Sequence, residues 1–354
     1  MNGESSASGT LGAAFEVLAT GPLALLQDAG RPGCAHLGVT TSGAADRGAS
    51  SAANRLVGNE PGAAAIEVLF GGLELRALRT MLVALTGASA IATVTEFERV
   101  GRHSVAAIPG ADRESAGAGA GADAGARTDP AGAGARIRRT LVHPSGTSFT
   151  VSAGDTIALG APDGGLRSYL AVRGGFAGER VLGSRSSDVL SGLGPLPLSS
   201  GDVLHLAGDE EGTAGDWPET TLIPPPLPET GPTTLAIDRG PRDDWFGETG
   251  WRALLDAMWT VGTDSNRVGV RLTTDDGGVE RAPGHAGELP SEGMVVGAVQ
   301  IPPSGQPVVF LRDHPVTGGY PVIGVLTGPA VDLAAQLRPG DSARFRAADE
   351  LLPK

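Results

Sequence analysis

Apolar residues arrive in short runs separated by glycine, proline and other turn formers, and within the runs they alternate more often than they follow helical spacing. Residues 14–19 and 23–27 flank Gly21-Pro22, which predicts two strands joined by a tight turn. The series continues with "IEVLFGGLELRAL" (66–78), "MLVALTGA" (81–88), "IATVTEFERV" (91–100) and "SVAAIP" (104–109). Such close spacing leaves no room for the crossover helices of repeated βαβ units and predicts a meander or barrel. Further strands are expected in "SFTVSAGDTIALG" (148–160), "LRSYLAVRGG" (166–175) and "DVLHLAG" (202–208). In "AGDTIALG", "SGDVLHLAG" and "PGDSARFRA" (339–347), Gly-Asp precedes an alternating segment, as when a turn feeds a strand.

Three segments depart from this pattern. The Ala-rich stretch 40–59, "TTSGAADRGASSAANRLVGN", predicts a helix with Asp46 as N-cap, Ala52 and Leu56 turned inward, and Arg47, Asn54 and Arg55 toward the rim or solvent. The stretch 110–135, "GADRESAGAGAGADAGARTDPAGAGA", has too little apolar side-chain surface to offset the entropy of ordering, and predicts a flexible insertion. "WPETTLIPPPLPETG" (217–231) predicts a Pro-rich linker.

The reading is therefore a mainly β chain of two linked β-rich domains with short helices. A disordered N-terminus covers 1–12, an N-terminal β-barrel domain 13–216, and a second β-rich domain 232–351. In the second, "TTLAIDRG" (233–240) and residues 267–272, 294–301, 307–312, 320–326 and 342–346 predict strands. "WRALLDAMW" (251–259) and "PAVDLAAQLRPG" (329–340) predict helices.

Composition narrows the function. A formal net charge of −13 argues against a polyanion binder, so no nucleic-acid partner is expected. Cys34 is the sole cysteine, which excludes an intrachain disulfide and a cysteine-based zinc cluster. The opening MNGESSASGT has neither a basic region nor an apolar core, and no run of about 20 apolar residues follows. The expectation is a soluble, cytoplasmic protein with no membrane partner.

No dinucleotide fingerprint, GK[ST] phosphate loop, HExxH or GxSxG motif occurs. Histidines at 36, 103, 143, 205, 285 and 314 are too dispersed to form a local metal site, and no metal is expected. Three polar concentrations remain. In "QDAGRPGCAHLG" (27–38), Arg31 suits a carboxylate or carbonyl and His36 a proton transfer, while Asp28 is suited to accepting backbone hydrogen bonds. Cys34 reads as packing. In "VRGGFAGERVLGSRSSDVLSGLG" (172–194), Gly174 and Gly175 permit close approach, and Arg173, Arg185, Ser186, Ser187 and Asp188 supply donors and acceptors. Distally, Glu288 and Glu292 suit a cationic or amide ligand, Gln300 an amide, and Asp313 and His314 an acid–base pair if a turn brings them together. Thr317 to Tyr320 read as a ligand-facing loop or a structural turn.

Taken in order, "LLQDAGRPGCAHLGVTTSGAADR", "ANRLVGN", "LRSYLAVRGGF", "VLGSRSSD", "SNRVGVRL", "SEGMVVGAVQIPPSGQP" and "TGGYPVIG" resemble the KipA and allophanate-hydrolase-subunit-2 family, which includes the C subunit of bacterial 5-oxoprolinase. The resemblance implies cyclophilin-like β-barrel architecture. It also implies partnership with a KipI-like B subunit and a LamB/YcsF-like A subunit, in a complex that uses ATP, with Mg2+, to hydrolyse 5-oxoproline to glutamate. Related modules serve biotin-dependent urea or amide carboxylation, and a noncatalytic KipI-binding role is a further reading.

The catalytic candidates are Asp28, His36 and Glu292, carried over by motif, and Asp313, from its place beside His314. The substrate-binding candidates are Arg31, Ser42, Asp46, Arg173, Arg185, Ser186, Asn266, Arg267, Gln300, Thr317 and Tyr320. Ser265-Asn266-Arg267-Val268-Gly269 stands where the family commonly has Ser-Asp-Arg-Met-Gly.

Overall fold

Short strands with one face apolar must bury that face against another layer, and the chain does this twice, in two different ways. The structure is a computed structural model that describes residues 11–99, 135–208, 218, 222–223, 231–285, 287 and 289–351. The expected strand at 104–109, nearly all of the 110–135 insertion, most of the 217–231 linker, residues 1–10 and Glu288 lie outside the described residues.

The first half contains β1 (Leu11–Thr20), β2 (Leu23–Gln27), β3 (Ala65–Leu69), β4 (Leu73–Ala77), β5 (Met81–Gly87), β6 (Ile91–Arg99), β7 (Ala135–Pro144), β8 (Thr147–Val151), β9 (Thr156–Leu159), β10 (Arg167–Val172) and β11 (Val203–Leu206). These strands form a six-stranded sheet, β11-β1-β4-β9-β6-β7, and a five-stranded sheet, β2-β3-β10-β5-β8. Phe15, Leu75 and Ile157 from the first sheet meet Ile66, Val83 and Leu170 from the second in one buried cluster. Each such side chain contributes roughly 1.5–3 kcal/mol by leaving water. The expected N-terminal barrel is thus two open sheets packed on each other. Alternate strand residues need a facing apolar layer, and here a second sheet supplies it without closure.

Helix α1 (Arg47–Leu56) covers the outer face of the five-stranded sheet. The alternation of β10 shows why that sheet is buried on both sides. Leu170 and Val172 enter the inter-sheet core, while Tyr169 and Ala171 pack with Ala53 and Leu56 of α1. The Asp46 side chain caps α1 as expected, accepting from the Ala49 amide at 2.8 Å. Asn54, expected at the rim, is fully buried instead. Its amide donates to the Ala63 carbonyl at 2.8 Å and its oxygen accepts from Asn59, fastening the helix end to the next loop.

The second half comprises β12 (Thr233–Arg239), α2 (Gly247–Asp256), β13 (Trp259–Val261), β14 (Gly269–Thr273), β15 (Glu292–Gly293), β16 (Ala298–Gln300), β17 (Val308–Phe310), β18 (Thr317–Gly318), β19 (Val322–Leu326), α3 (Gly328–Ala334) and β20 (Ser342–Ala347). A closed barrel runs β12-β19-β16-β17-β14-β13-β20, sealed by the parallel pairing of β20 with β12, and β15 and β18 form a separate two-stranded ladder. The core gathers Leu235, Val270, Val299, Val309 and Phe345 around Trp259. Helix α2 begins and ends earlier than its apolar spacing suggested, because Ala257 turns extended and releases Trp259 into β13. None of the described helices is long and apolar enough to cross a membrane.

Candidate functional site

Two loops of the first half converge beside the open end of β2: the segment after Gln27 and the glycine-rich segment after β10. Asp28 joins them. Its Oδ1 accepts from the Gly30 amide at 2.7 Å and from the Ser184 and Ser186 hydroxyls, each at 2.6 Å, while Oδ2 accepts from the Arg185 amide at 2.6 Å. A carboxylate so surrounded by donors organises a loop, and its lone pairs are engaged before any substrate arrives. Glycine is required at two close approaches. A Cβ on Gly30 (φ 84°) would stand 2.3 Å from the Thr41 carbonyl oxygen, and one on Gly194 (φ 84°) would stand 2.1 Å from that of Ser186.

The junction borders a cleft of about 200 Å³ lined by Asp28, Glu60, Phe176, Arg180 and Arg185, with Gly30, Gly62, Gly175 and Gly183 baring backbone along its walls. The cleft thus carries charge of both signs, two arginines and two carboxylates, over bare backbone, while the Phe176 ring is buried in the core beneath it. Arg31, expected at this mouth, turns inward instead. It is buried, its Nε donates to the Val181 carbonyl at 3.3 Å and its Nη2 to that of Ser186. His36 lies on the exposed turn 35–37 with Nδ1 3.0 Å from the Gly33 oxygen, and does not line the cleft. Cys34 is half-buried next to it.

A second concentration of charge lies where the two halves of the chain meet. Arg267, just before β14, donates from Nη1 to Glu67 of β3, from Nε to Asp313 Oδ2 at 2.8 Å, and from Nη2 to the Gly43 carbonyl at 2.7 Å. Asp313 also accepts from the Ser42 hydroxyl at 2.7 Å and the Val189 amide at 3.1 Å. Glu67 Oε2 accepts from the Ala45 amide and the Tyr169 hydroxyl, both at 2.9 Å, and Tyr169 in turn accepts from the Asp46 amide at 2.8 Å. Burial opposes ionisation of Glu67, yet Arg267 and Arg167 outweigh it and hold the carboxyl below its ordinary value. Arg267 is likewise opposed by burial and raised, on balance, by Glu67 and Asp313.

Asp46 behaves differently. Burial pushes its carboxyl from an ordinary 3.8 to about 6, against hydrogen bonds from Gln336 and Ala49, with Asp332 and Glu67 adding repulsion. Gln336, beyond α3, completes the seam. Its amide nitrogen donates to Asp46 Oδ2 at 2.8 Å and its oxygen accepts from the Leu166 and Arg167 amides, each at 2.9 Å. The Asp332 carboxylate accepts from the Arg47 and Gly48 amides at 3.0 and 3.1 Å, so α3 caps α1 across the junction.

The remaining candidates form neither group. Glu292 pairs with Arg242, and its strand β15 pairs with the Thr317–Gly318 strand β18. Gln300 donates to the Tyr320 carbonyl at 2.8 Å, and the Tyr320 ring is exposed. Asn266 Oδ1 accepts from the Val268 amide at 2.8 Å in a side-chain turn. Arg173 Nη1 donates to the Val57 carbonyl at 3.0 Å, close to the end of α1. The Asp313–His314 pair does not form. Asp313 faces Arg267 and Ser42, whereas His314 stacks on Phe310 with Nδ1 2.8 Å from the Pro315 oxygen, and burial lowers its pKa.

The seam thus gathers Arg267, Ser42 and Asp46, which the motifs named, and Asp313, named for its place beside His314, with Glu67, Arg167, Tyr169, Asp332 and Gln336, which no motif named. Glu67 carried a signal: it is an acidic residue inside the apolar strand "AIEVL", a placement that demands a buried cation.

The chain matches the family described as Carboxyltransferase domain, subdomain A and B, over residues 37–116 and 110–347. It is 29% identical to the C subunit of 5-oxoprolinase from Escherichia coli over 345 residues, covering 94% of this chain and 90% of that protein. It is 27% identical to urea amidolyase of Saccharomyces cerevisiae, covering 94% of this chain and 16% of that protein. Among solved structures, that of TTHA0988 superposes with a TM-score of 0.72 at 31% identity, covering 95% of this chain and 55% of that one. The chain therefore spans nearly all of the bacterial relative but about half of TTHA0988 and under a fifth of the yeast protein. With its two facing sheets, closed barrel and charged seam, the chain belongs to the carboxyltransferase-domain family of subdomains A and B.

Proposed function

We propose that this chain is the C subunit of an ATP-dependent 5-oxoprolinase, acting with a KipI-like B subunit and a LamB/YcsF-like A subunit to open the 5-oxoproline lactam to glutamate. The observation that carries the reading is the near end-to-end correspondence with the C subunit of the Escherichia coli 5-oxoprolinase. The cleft is consistent with it in residue type: Arg180 and Arg185 are among its lining residues, and a guanidinium suits a carboxylate. The role assigned to this chain is binding and orientation. ATP, with Mg2+, belongs to the reading at the level of the complex. Among the described residues no group of three or more His, Cys, Asp or Glu side chains is placed to hold a metal ion.

The test is coexpression with the two partner subunits and an assay of ATP-dependent glutamate release from 5-oxoproline, omitting each subunit in turn. Turnover that requires all three is expected, and turnover undiminished without this chain would refute the role. A second reading, carboxyl transfer to urea or a related amide from a biotin carrier, draws on the match to urea amidolyase. Biotin-dependent carboxylation by the chain with a carrier and carboxylase, in the absence of lactam hydrolysis, would replace the first reading with the second.

A further inference from the structure

Among the described residues four arginines are withdrawn from water: Arg31, Arg167, Arg267 and Arg312. Three of them face a carboxylate. Arg267 meets Glu67 and Asp313, Arg167 lies 3.6 Å from Glu67 Oε1, and Arg312 lies 3.4 Å from Asp332 Oδ1. Arg31 is the most deeply buried of the four, 1% exposed, yet its hydrogen bonds go only to main-chain carbonyls, and no carboxylate of the described residues stands within ion-pair distance of it. A guanidinium keeps its charge when buried. Carbonyl dipoles offset only part of the cost of taking such an ion out of water, and an opposite charge is needed for the rest.

The Arg31 guanidinium is engaged along one edge. Nε and Nη2 donate to the Val181 and Ser186 carbonyls, whereas Nη1, equally buried, has no hydrogen-bond partner among the described residues. Two buried hydroxyls on the segments bonded to Arg31 are in the same condition. One belongs to Thr41, whose carbonyl accepts from the Arg31 amide at 2.7 Å, and the other to Ser187, which follows Ser186. The acids of these loops are committed elsewhere. Asp28 accepts from Gly30, Ser184, Arg185 and Ser186, and Asp188 accepts from the Leu190 and Ser191 amides and the Thr40 hydroxyl. Gly194 leaves the guanidinium uncrowded on this side: a Cβ there would stand 3.1 Å from Arg31 Nη2.

We infer that the Nη1 end of Arg31 seats a small monovalent anion, a halide or a carboxylate no larger than formate, held by the guanidinium and the Thr41 and Ser187 hydroxyls. One buried cation balances one negative charge, and a sulfate or phosphate dianion would leave charge in excess. Hydroxyl and guanidinium N–H groups are donors of the kind an anion takes. The ion stands to Arg31 as Asp313 stands to Arg267, a fixed counter-charge of the scaffold, and it ties together the 27–42 and 181–194 segments that frame the cleft. The inference is independent of the proposed reaction.

The test is the Tm of the purified chain at constant ionic strength in sodium chloride, sodium formate and sodium gluconate, whose anion is too large to be enclosed. Chloride should raise Tm saturably above gluconate, by roughly 3 °C or more. A rise in formate and none in chloride would uphold the site and make its occupant a carboxylate. Arg31→Met should erase the difference between salts, and Ser187→Ala should raise the chloride midpoint roughly tenfold through one lost charged hydrogen bond. Arg346→Met, at an exposed position of β20, should keep the full response. Crystals grown in sodium bromide should show an anomalous peak within hydrogen-bond reach of Nη1. Equal Tm in all three salts would overturn the inference and leave Nη1 to Gln27 Oε1, a buried acceptor that likewise has no partner among the described residues. A response retained by both Arg31→Met and Ser187→Ala, or bromide found only at other places as an adventitious ion only, would overturn it too. If Arg31→Met does not fold, Ser187→Ala and the bromide peak still decide. No arm uses turnover, so failure of the 5-oxoprolinase reading leaves this result standing.

Discussion

The seam around Arg267 and the cleft around Arg185 use the same residue types to opposite ends. At the seam, Arg267, Glu67 and Asp313 are almost completely withdrawn from water, and each faces an opposite charge. At the cleft, Asp28 is consumed by three loop donors on one oxygen and one on the other, and Arg180 and Arg185 lie less deeply buried along the cleft wall. Burial decides between these roles. A charge removed from water needs fixed partners, so it becomes part of the scaffold, whereas a charge at a half-open wall can exchange water for a ligand. The lesson is that an arginine within a family motif is not thereby a ligand-binding arginine.

Arg267→Met puts the sharpest stress on this contrast. It leaves the buried Asp313 without its cation and Glu67 with Arg167 alone, and chemical denaturation should show a loss of about 3–5 kcal/mol. A variant as stable as the wild type but unable to bind substrate would move Arg267 from the scaffold to the site.

The next effect is one of pH. The Asp46 carboxyl has a folded-state pKa of about 6 against an ordinary 3.8, so the folded chain holds that proton more tightly than the unfolded chain. Its contribution to stability is fully present below about pH 4 and is lost as pH rises to about 6, by on the order of 3 kcal/mol. Asp46→Asn keeps an N-capping oxygen and should flatten the stability profile across that window. A profile unchanged by the substitution would mean that Gln336 and the Ala49 amide already hold the carboxylate ionised.

The smallest change in stability is expected in the cleft. Arg180→Gln, at an exposed position, should alter stability by no more than about 0.5 kcal/mol. Under the proposed 5-oxoprolinase role it should raise the KM of the complex for 5-oxoproline roughly tenfold with kcat little affected, as loss of a charged hydrogen bond to the ground state would do. A large stability loss here, or an unchanged KM, would erase the distinction between the two regions.

Much of the scaffold was legible beforehand. The Gly-Asp turns did feed strands β9, β11 and β20, and Asp46 did cap α1, because both signals act over a few residues. Closure was less legible. Strands of similar length and alternation became two open sheets in one half and a sealed barrel in the other, since closure rests on pairings such as β12 with β20, more than a hundred residues apart along the chain. The acid–base pairing of Asp313 with His314 was suggested by adjacency and undone when Asp313 took partners from distant segments, Ser42 and Arg267, while His314 stacked on nearby Phe310.

By itself the sequence determined the local grammar of this protein: a β-rich chain, a capped Ala-rich helix, glycines where backbones must approach, and motifs sufficient to place it in its family. Only the tertiary structure decided which charges became scaffold and which remained at a surface. A side chain's type and neighbours are written locally, but its exposure to water depends on elements brought together from across the whole chain, and exposure determines whether a guanidinium or carboxylate can meet a ligand.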